Sequence, residues 1–197
     1  NIKVSKTSLE FDYLNKIKSH FKANLSGSQH LTNLILSIKT ANLLGLDSPL
    51  LKKAVSKLTT PDKTMQIIKH SPSLTLIDDT NNINFEAVIA GLKYLKLFSG
   101  LRVFFINPII EMGDKSENIH REIGRISGDV CHYLITTNGN YYSSLLKGIN
   151  ASDKKMTNLS IADNKSIEQI ARNISTDSAI LFSGKESAKW IYKFKEL

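Results

Sequence analysis

The stretch "LTLIDDTNNINFEAVIAGLKY", residues 74–94, decides the fold. Leu74 to Ile77 form a short apolar run of the kind a buried strand carries, and it ends on two adjacent carboxylates, Asp78 and Asp79. Asparagine and threonine then fill four of the five positions from Thr80 to Asn84. From Phe85 the apolar residues change period: Phe85, Val88, Ile89, Leu92 and Leu95 fall on one side of a helix expected to run to about Leu97. Two readings of the polar segment stand at this point. In one it is an ordinary strand-to-helix turn, in which Asn82 or Asn84 caps the helix and the aspartates face water. In the other, the strand's carboxyl end presents its groups to a ligand, and the two aspartates hydrogen-bond a ribose or hold Mg²⁺ through water.

Working outward, the same texture repeats. "MQIIK" (65–69) is a further short strand candidate, and "LRVFFIN" (101–107) is apolar throughout, as strands buried on both faces of a parallel sheet are. A helix follows from Ser116 to about Ser127 with Ile119, Ile123 and Ile126 inward, then strand "HYLITT" (132–137) and a helix at about Tyr141 to Leu146. An edge strand at Met156 to Ile161 and a helix at Ser166 to Ile174 come next. The last pair is strand "SAILFSG" (178–184) and a terminal helix with Trp190, Ile191, Phe194 and Leu197 at helical spacing. This alternation predicts an α/β fold, with a mostly parallel sheet and helices on both faces. Upstream, short β-like pieces at Ser8–Tyr13 and Lys18–Leu25 precede two helices. The first carries Leu31, Leu34, Ile35, Ile38 and Ala41 and stops at Gly45; the second is capped by Ser48 with Pro49 at its first position. These sixty residues hold too little strand to close a fold of their own, so they are expected to be a helical remnant of a second domain. The expected boundary gives domains 1–62 and 63–197.

Composition narrows the function classes. The chain has 197 residues, 41% hydrophobic and 22% charged, as globular domains do, and no apolar run long enough to span a bilayer. A membrane partner is not expected, and the location expected is cytoplasmic. The chain begins at Asn1 rather than methionine, which suggests that it was cut from something longer. The single cysteine, Cys131, has no disulfide or metal-ligand partner and reads as a half-buried strand thiol. The net charge of +8 is spread in pairs such as Lys52-Lys53 and Lys154-Lys155, without an arginine-rich or aromatic-interleaved block, so nucleic acid is not an expected partner.

In an open α/β sheet the ligand lies beyond the carboxyl ends of the strands. Four loops are expected there: 78–84, 107–120, 136–141 and 183–187. The second places Glu111 and His120 around Gly113, which permits a tight turn. His120 adjoins Ile119 and Ile123 on its helix and is open to a structural or a functional reading. The last, "SGKES", offers Gly184 and Lys185 before a helix. No GxxxxGK[ST] phosphate loop, GxSxG elbow or HExxH helix occurs in the chain. No residue is assigned a catalytic or metal-binding role.

Taken in order, these motifs resemble the C-terminal domain of the Mur ligases, within that family most nearly the branch that adds D-alanyl-D-alanine. Ile77, Asp78, Asp79, Asn82 and Asn84 match the family's IDDSYNANP element. Glu111 and Gly113 match its LGDMLELG-like turn, and Ser116, His120 and Gly124 its SxxxHxxxG helix. Gly27 and Asn33 match the GxHNxxNxxAA helix that closes the central ATPase domain. The resemblance covers about residues 25 to 185. It implies a Rossmann-like domain and an ATP-dependent amide ligase of peptidoglycan precursor synthesis, with ATP and Mg²⁺ as cofactors. The partners it implies are a UDP-muramyl-peptide and an incoming amino acid or dipeptide.

By the same resemblance, Asp79, with Asp78 beside it, and Asn33 are nucleotide-binding, contacting ribose and adenine. Asn82, Asn84, His120 and Glu111 line the amine-substrate side. The chain departs from the family at Gln29 and His30, at Thr64 in place of an arginine, at Asn81 and Phe85, in the "INPI" turn, and at Ser183 in place of a lysine. Without the phosphate loop this chain alone is expected to be inactive. A degenerate, non-catalytic nucleotide-binding or interaction module is the alternative.

Overall fold

A computed structural model describes residues 1–15, 17–155 and 157–195. Met156, at the start of the expected edge strand, and Leu197, in the expected helical stripe, lie outside the described residues. The chain divides into two compact units, Asn1–Pro61 and Asp62–Leu197.

The first unit opens with β1 (Ile2–Val4), β2 (Leu9–Leu14) and β3 (Lys18–Ala23), paired in that order as an antiparallel sheet. In β3, Ser19, Phe21 and Ala23 point inward while Lys18, His20 and Lys22 face water, the strict alternation of a sheet wetted on one side. Helices α1 (Leu31–Leu43) and α2 (Ser48–Ser56) supply Leu34, Ile38, Leu51 and Val55 to a core shared with Leu9, Phe11 and Phe21. Phe11 and Phe21 sit opposite each other in the register and stack at 5.6 Å. The first sixty residues are therefore a sheet-and-helix unit with a core of its own rather than a helical remnant. The β-like pieces expected at Ser8–Tyr13 and Lys18–Leu25 are β2 and β3; what the sequence did not show is β1 and the core that the three strands share with the helices. The cap of α2 also shifts by one residue: Asp47 accepts the Leu50 N–H at 2.9 Å, leaving Ser48 and Pro49 inside the first turn.

The second unit runs β4 (Gln66–His70), β5 (Leu74–Asp79), α3 (Phe85–Leu95), β6 (Arg102–Ile106), α4 (Ser116–Val130), β7 (Tyr133–Thr136), α5 (Tyr142–Asn150), β8 (Asn158–Ile161), α6 (Asn164–Arg172), β9 (Ser178–Ser183) and α7 (Ala188–Lys195). The sheet order is β4-β5-β9-β6-β7-β8, with β4 antiparallel to β5 and every other pairing parallel. The α/β, mostly parallel architecture expected from the alternation is what the structure has. The last strand of the chain lies at the centre of the sheet. Its six residues are all buried, as are those of β5.

Helices cover both faces. On one, Ile167 and Ile170 of α6 and Ile191 and Phe194 of α7 pack onto Leu76, Phe105 and Phe182, with Phe105 and Phe182 stacked at 4.9 Å. On the other, α3 approaches so closely at Gly91 that a Cβ there would lie 2.7 Å from Leu181 Cδ2. Helices α4 and α5 touch backbone to backbone. A Cβ on Gly148 would lie 1.9 Å from the Arg121 carbonyl oxygen, and one on Gly124 2.1 Å from that of Leu145. Cys131 is fully buried at the end of α4, just before β7 rather than within a strand, and burial pushes its thiol up to about 12.

Candidate functional site at the carboxyl edge of the sheet

Because β5, β9, β6 and β7 are parallel, the four loops singled out in the sequence emerge together at one edge of the sheet. Asp78 and Asp79 end β5 and are 8% and 7% exposed, so they do not face water as an ordinary capped turn would have them. Neighbouring residues of a strand project to opposite faces, and the two carboxylates are accordingly engaged apart. Asp78 Oδ1 accepts from the Thr80 N–H at 3.0 Å and the Thr80 hydroxyl at 2.6 Å, closing the turn on itself. Asp79 Oδ1 accepts from the Met65 N–H at 3.0 Å, and its other oxygen has no partner among the described residues.

Burial is the main cause that pushes the Asp79 carboxyl up to about 7. The charge of Asp78 adds to it, and the Met65 hydrogen bond opposes it. The pair is thus not one bidentate site. Among the described residues, no three His, Cys, Asp or Glu side chains gather where they could hold a metal ion.

Asn84 caps α3, its Oδ1 taking the Ala87 N–H at 2.8 Å, while Asn82 Oδ1 takes the Ile83 N–H at 2.8 Å. Both residues are exposed, and their local bonds use the amide oxygens and leave the NH₂ groups as donors. Glu111 is exposed and adopts φ +64, a left-handed conformation that non-glycine residues rarely take.

His120 is fully buried. Its Nδ1 donates to the Ser116 carbonyl at 2.7 Å and its Nε2 accepts the Ile109 N–H at 3.1 Å, so the ring is the neutral Nδ1–H tautomer. The ring stacks on Tyr141 at 4.1 Å, and Tyr141 is itself left-handed at φ +57. His120 therefore ties the 107–120 loop to α4 and, through Tyr141, to the loop after β7. Burial holds its pKa below the ordinary value of 6.5. A depressed histidine stabilises the fold above that value, and the contribution is lost as pH falls through the folded pKa. His120→Leu is expected to cost about 3 kcal/mol at pH 7, because two buried backbone groups lose their partners. Urea denaturation at pH 7 and pH 5 checks it: the gap between wild type and variant should narrow at pH 5.

Residues outside the sequence expectation complete the edge. Thr137 Oγ1 donates to Glu186 Oε2 at 2.9 Å and lies 3.2 Å from Asn107 Oδ1, and Asn138 Nδ2 donates to the same Glu186 oxygen at 3.3 Å. The loops after β6, β7 and β9 are joined this way. Gly184, at φ +84, lets β9 turn against Asn107, whose Cβ would lie 2.4 Å from a Cβ at that glycine. Ser183 is 1% exposed, and its hydroxyl is buried without a partner. All of these residues lie inside the four loops that the strand-helix alternation marked out. That alternation was the available signal, and Ser183, the last residue of β9, is the first of the last loop.

In the first unit, exposed Asn33 lines a pocket of about 220 Å³ together with His30, Leu34, Ser37, Leu58 and Pro61. Gln29, which stands where the resemblance expects a histidine, donates from Nε2 to the Ser26 carbonyl at 3.0 Å. Its buried amide oxygen has no partner.

No family model matches the chain. A curated relative, the UDP-N-acetylmuramoyl-tripeptide–D-alanyl-D-alanine ligase of Buchnera aphidicola, is 29% identical over 135 residues, which is 66% of this chain and 29% of that protein. The enzyme of the same name from Haemophilus influenzae is 32% identical over 90 residues, 44% of this chain and 20% of its own length. A crystal structure of MurF from Acinetobacter baumannii aligns with a TM-score of 0.81 at 20% identity, covering 100% of this chain and 43% of that one. The MurF ligase of Thermotoga maritima in complex with ADP aligns at 0.74 and 19% identity, again over 100% of this chain and 44% of the other. The chain thus spans under a third of these curated relatives and under half of these solved structures. Resemblance in motif order, sequence similarity and shared fold converge: the chain is a homologue of the C-terminal part of the Mur ligases.

Proposed function

We propose that these residues are the C-terminal portion of a cytoplasmic, ATP-dependent Mur-type amide ligase of peptidoglycan precursor synthesis. Residues 1–62 would be the end of its central ATPase domain and 63–197 its C-terminal domain. In that reaction ATP phosphorylates a carboxylate of a UDP-muramyl-peptide. The amine of an amino acid or dipeptide attacks the acyl-phosphate, an amide forms, and ADP and phosphate leave. This part of the enzyme would bind and orient rather than carry out the chemistry, holding reactants together in a cleft poor in water.

The observation that carries the reading is Asp79: a buried carboxylate at the carboxyl edge of a parallel sheet, with one oxygen unpartnered, at the position of the family's IDD element. A carboxylate so placed suits the paired hydroxyls of a ribose. Asn33, beside an apolar pocket, suits the adenine edge, and Asp78 supports the turn that positions Asp79. Asn82, Asn84 and Glu111 would meet the incoming amine substrate, with His120 fixing the loop that carries Glu111. For the Mg²⁺ that accompanies ATP, the described residues hold no group of three His, Cys, Asp or Glu side chains.

The gene is expected to encode a GxxGKT/S loop upstream of Asn1. In the full polypeptide, Asp79→Ala is expected to raise the KM for ATP at least tenfold, as loss of hydrogen bonds to a charged group does, with the KM for the amine substrate little changed. Steady-state kinetics with each substrate varied in turn checks this. Unchanged ATP dependence would remove Asp79 from the nucleotide site. Absence of a phosphate loop would favour the degenerate binding module, a reading that Thr64 and Ser183 keep in view by replacing an arginine and a lysine of the family pattern.

A further inference from the structure

Residues 62–65 follow directly on the first unit. Lys63 and Met65 both adopt φ +54, two left-handed non-glycine residues within three positions. Each is disfavoured relative to a relaxed backbone, because the left-handed conformation crowds Cβ against the following carbonyl oxygen. A passive linker would place glycine there at no steric cost, so the conformation has to be imposed from outside.

What imposes it is the end of β5. The Met65 N–H donates to Asp79 Oδ1 at 3.0 Å, and the Lys63 carbonyl accepts the Asn81 N–H at 3.0 Å. Lys63 N–H donates to Gln66 Oε1 at 3.1 Å, and Gln66 Nε2 donates to Asp62 Oδ1 at 3.0 Å, closing the strap on itself. The Met65 side chain is 1% exposed, and its sulfur lies 4.0 Å from where a Cβ on Gly91 of α3 would be.

We infer that residues 62–65 are a strained strap latched to the carboxyl end of β5 by Asp79 and Asn81, and that this latch, rather than the strap's own sequence, holds its left-handed turn. Release of the Met65 N–H removes the bond that opposes relaxation to negative φ, so an unlatched strap is looser and does not re-form the same turn unaided. Asp79 has two oxygens with separate duties: Oδ1 holds the strap while the other stays open. The inference requires no ligand and stands whether or not Asp79 meets a nucleotide.

Amide hydrogen exchange and trypsin cleavage after Lys63, both on this chain, test it. The Met65 amide should be protected in the wild type to the level of the Leu76 and Ile77 amides of β5. Asp79→Ala should speed Met65 exchange and cleavage after Lys63 at least tenfold while Leu76 and Ile77 keep their protection. Asp79→Asn, which retains an acceptor oxygen, should keep the strap closed. A Met65 amide that exchanges freely in the wild type overturns the latch without any variant. So does an alanine variant whose strap is unchanged, or one that loses protection equally along β5.

Discussion

Gly148→Ala is expected to destabilise the protein by about 3 kcal/mol, at the upper end of what overpacking usually costs. The added methyl would lie 1.9 Å from the Arg121 carbonyl oxygen and 2.7 Å from the Arg125 nitrogen, both backbone atoms of the facing helix. No side chain can swing aside, so α4 and α5 must separate along their contact or the carbonyl must tilt out of its helix. Gly124→Ala meets the Leu145 carbonyl at 2.1 Å and should behave alike. Gly128→Ala meets the Ser152 hydroxyl at 2.2 Å and its Cβ at 2.6 Å; the hydroxyl can rotate but the Cβ cannot, so this variant too should be destabilised, by less than the two that meet helix carbonyls. Gly139→Ala is the control: its nearest neighbour is Ile161 Cδ1 at 3.8 Å, and its cost should stay within about 0.5 kcal/mol. Urea midpoints of the four variants check the ranking. A Gly148 variant as stable as the Gly139 one would mean that the helices do not approach as described.

Asp79→Asn is expected to stabilise the protein at pH 8 and to flatten its pH dependence. The folded pKa, about 7, lies above the ordinary 3.8, so between those values the native state binds more protons than the unfolded chain. Stability therefore falls as pH rises from about 4 to about 7, and above that range the full cost of the buried anion is present. Asparagine keeps an oxygen for the Met65 N–H and removes the charge. At about 1.4 kcal/mol per pKa unit, the gain at pH 8 is on the order of 2–4 kcal/mol, and near pH 4 it should vanish. Denaturation of both proteins at pH 4.5, 6 and 8 measures it. A wild type whose stability does not decline across that range would show that the carboxylate is solvated. A variant that is more stable yet a poorer nucleotide binder would show a stability cost retained for function.

Much of the second unit was legible because its elements carry the period of their environment. The apolar runs at β5, β6 and β9 announce strands buried on both faces, and the Phe85–Leu95 stripe announces a helix lying on them. The order of the strands was not legible, since nothing local says that β9 inserts between β5 and β6. That insertion is what buries Asp78 and Asp79: a pair of aspartates followed by Thr80 and Asn81 reads as a wet turn until a neighbouring strand covers it.

His120 shows the same limit. Its place beside Ile119 and Ile123 left a structural and a functional reading open; the Ser116 carbonyl lies one turn back on the same helix, but only the fold brings the Ile109 N–H to the ring. The strap at 62–65 left no trace at all in sequence, because Lys63 and Met65 are not residues that announce a left-handed backbone. In the first unit, β2 and β3 were legible as β-like pieces, but their joining with β1 and two helices around one core was not.

The most direct test of the proposed function is phosphate release by the full polypeptide that contains these residues, assayed with ATP, a UDP-muramyl-tripeptide and D-alanyl-D-alanine or a panel of amino acids and dipeptides. Release that requires all three substrates together, and that falls in the Asp79→Ala variant, is the result the ligase reading predicts. No release with any amine, from a folded protein that still binds nucleotide, would contradict it.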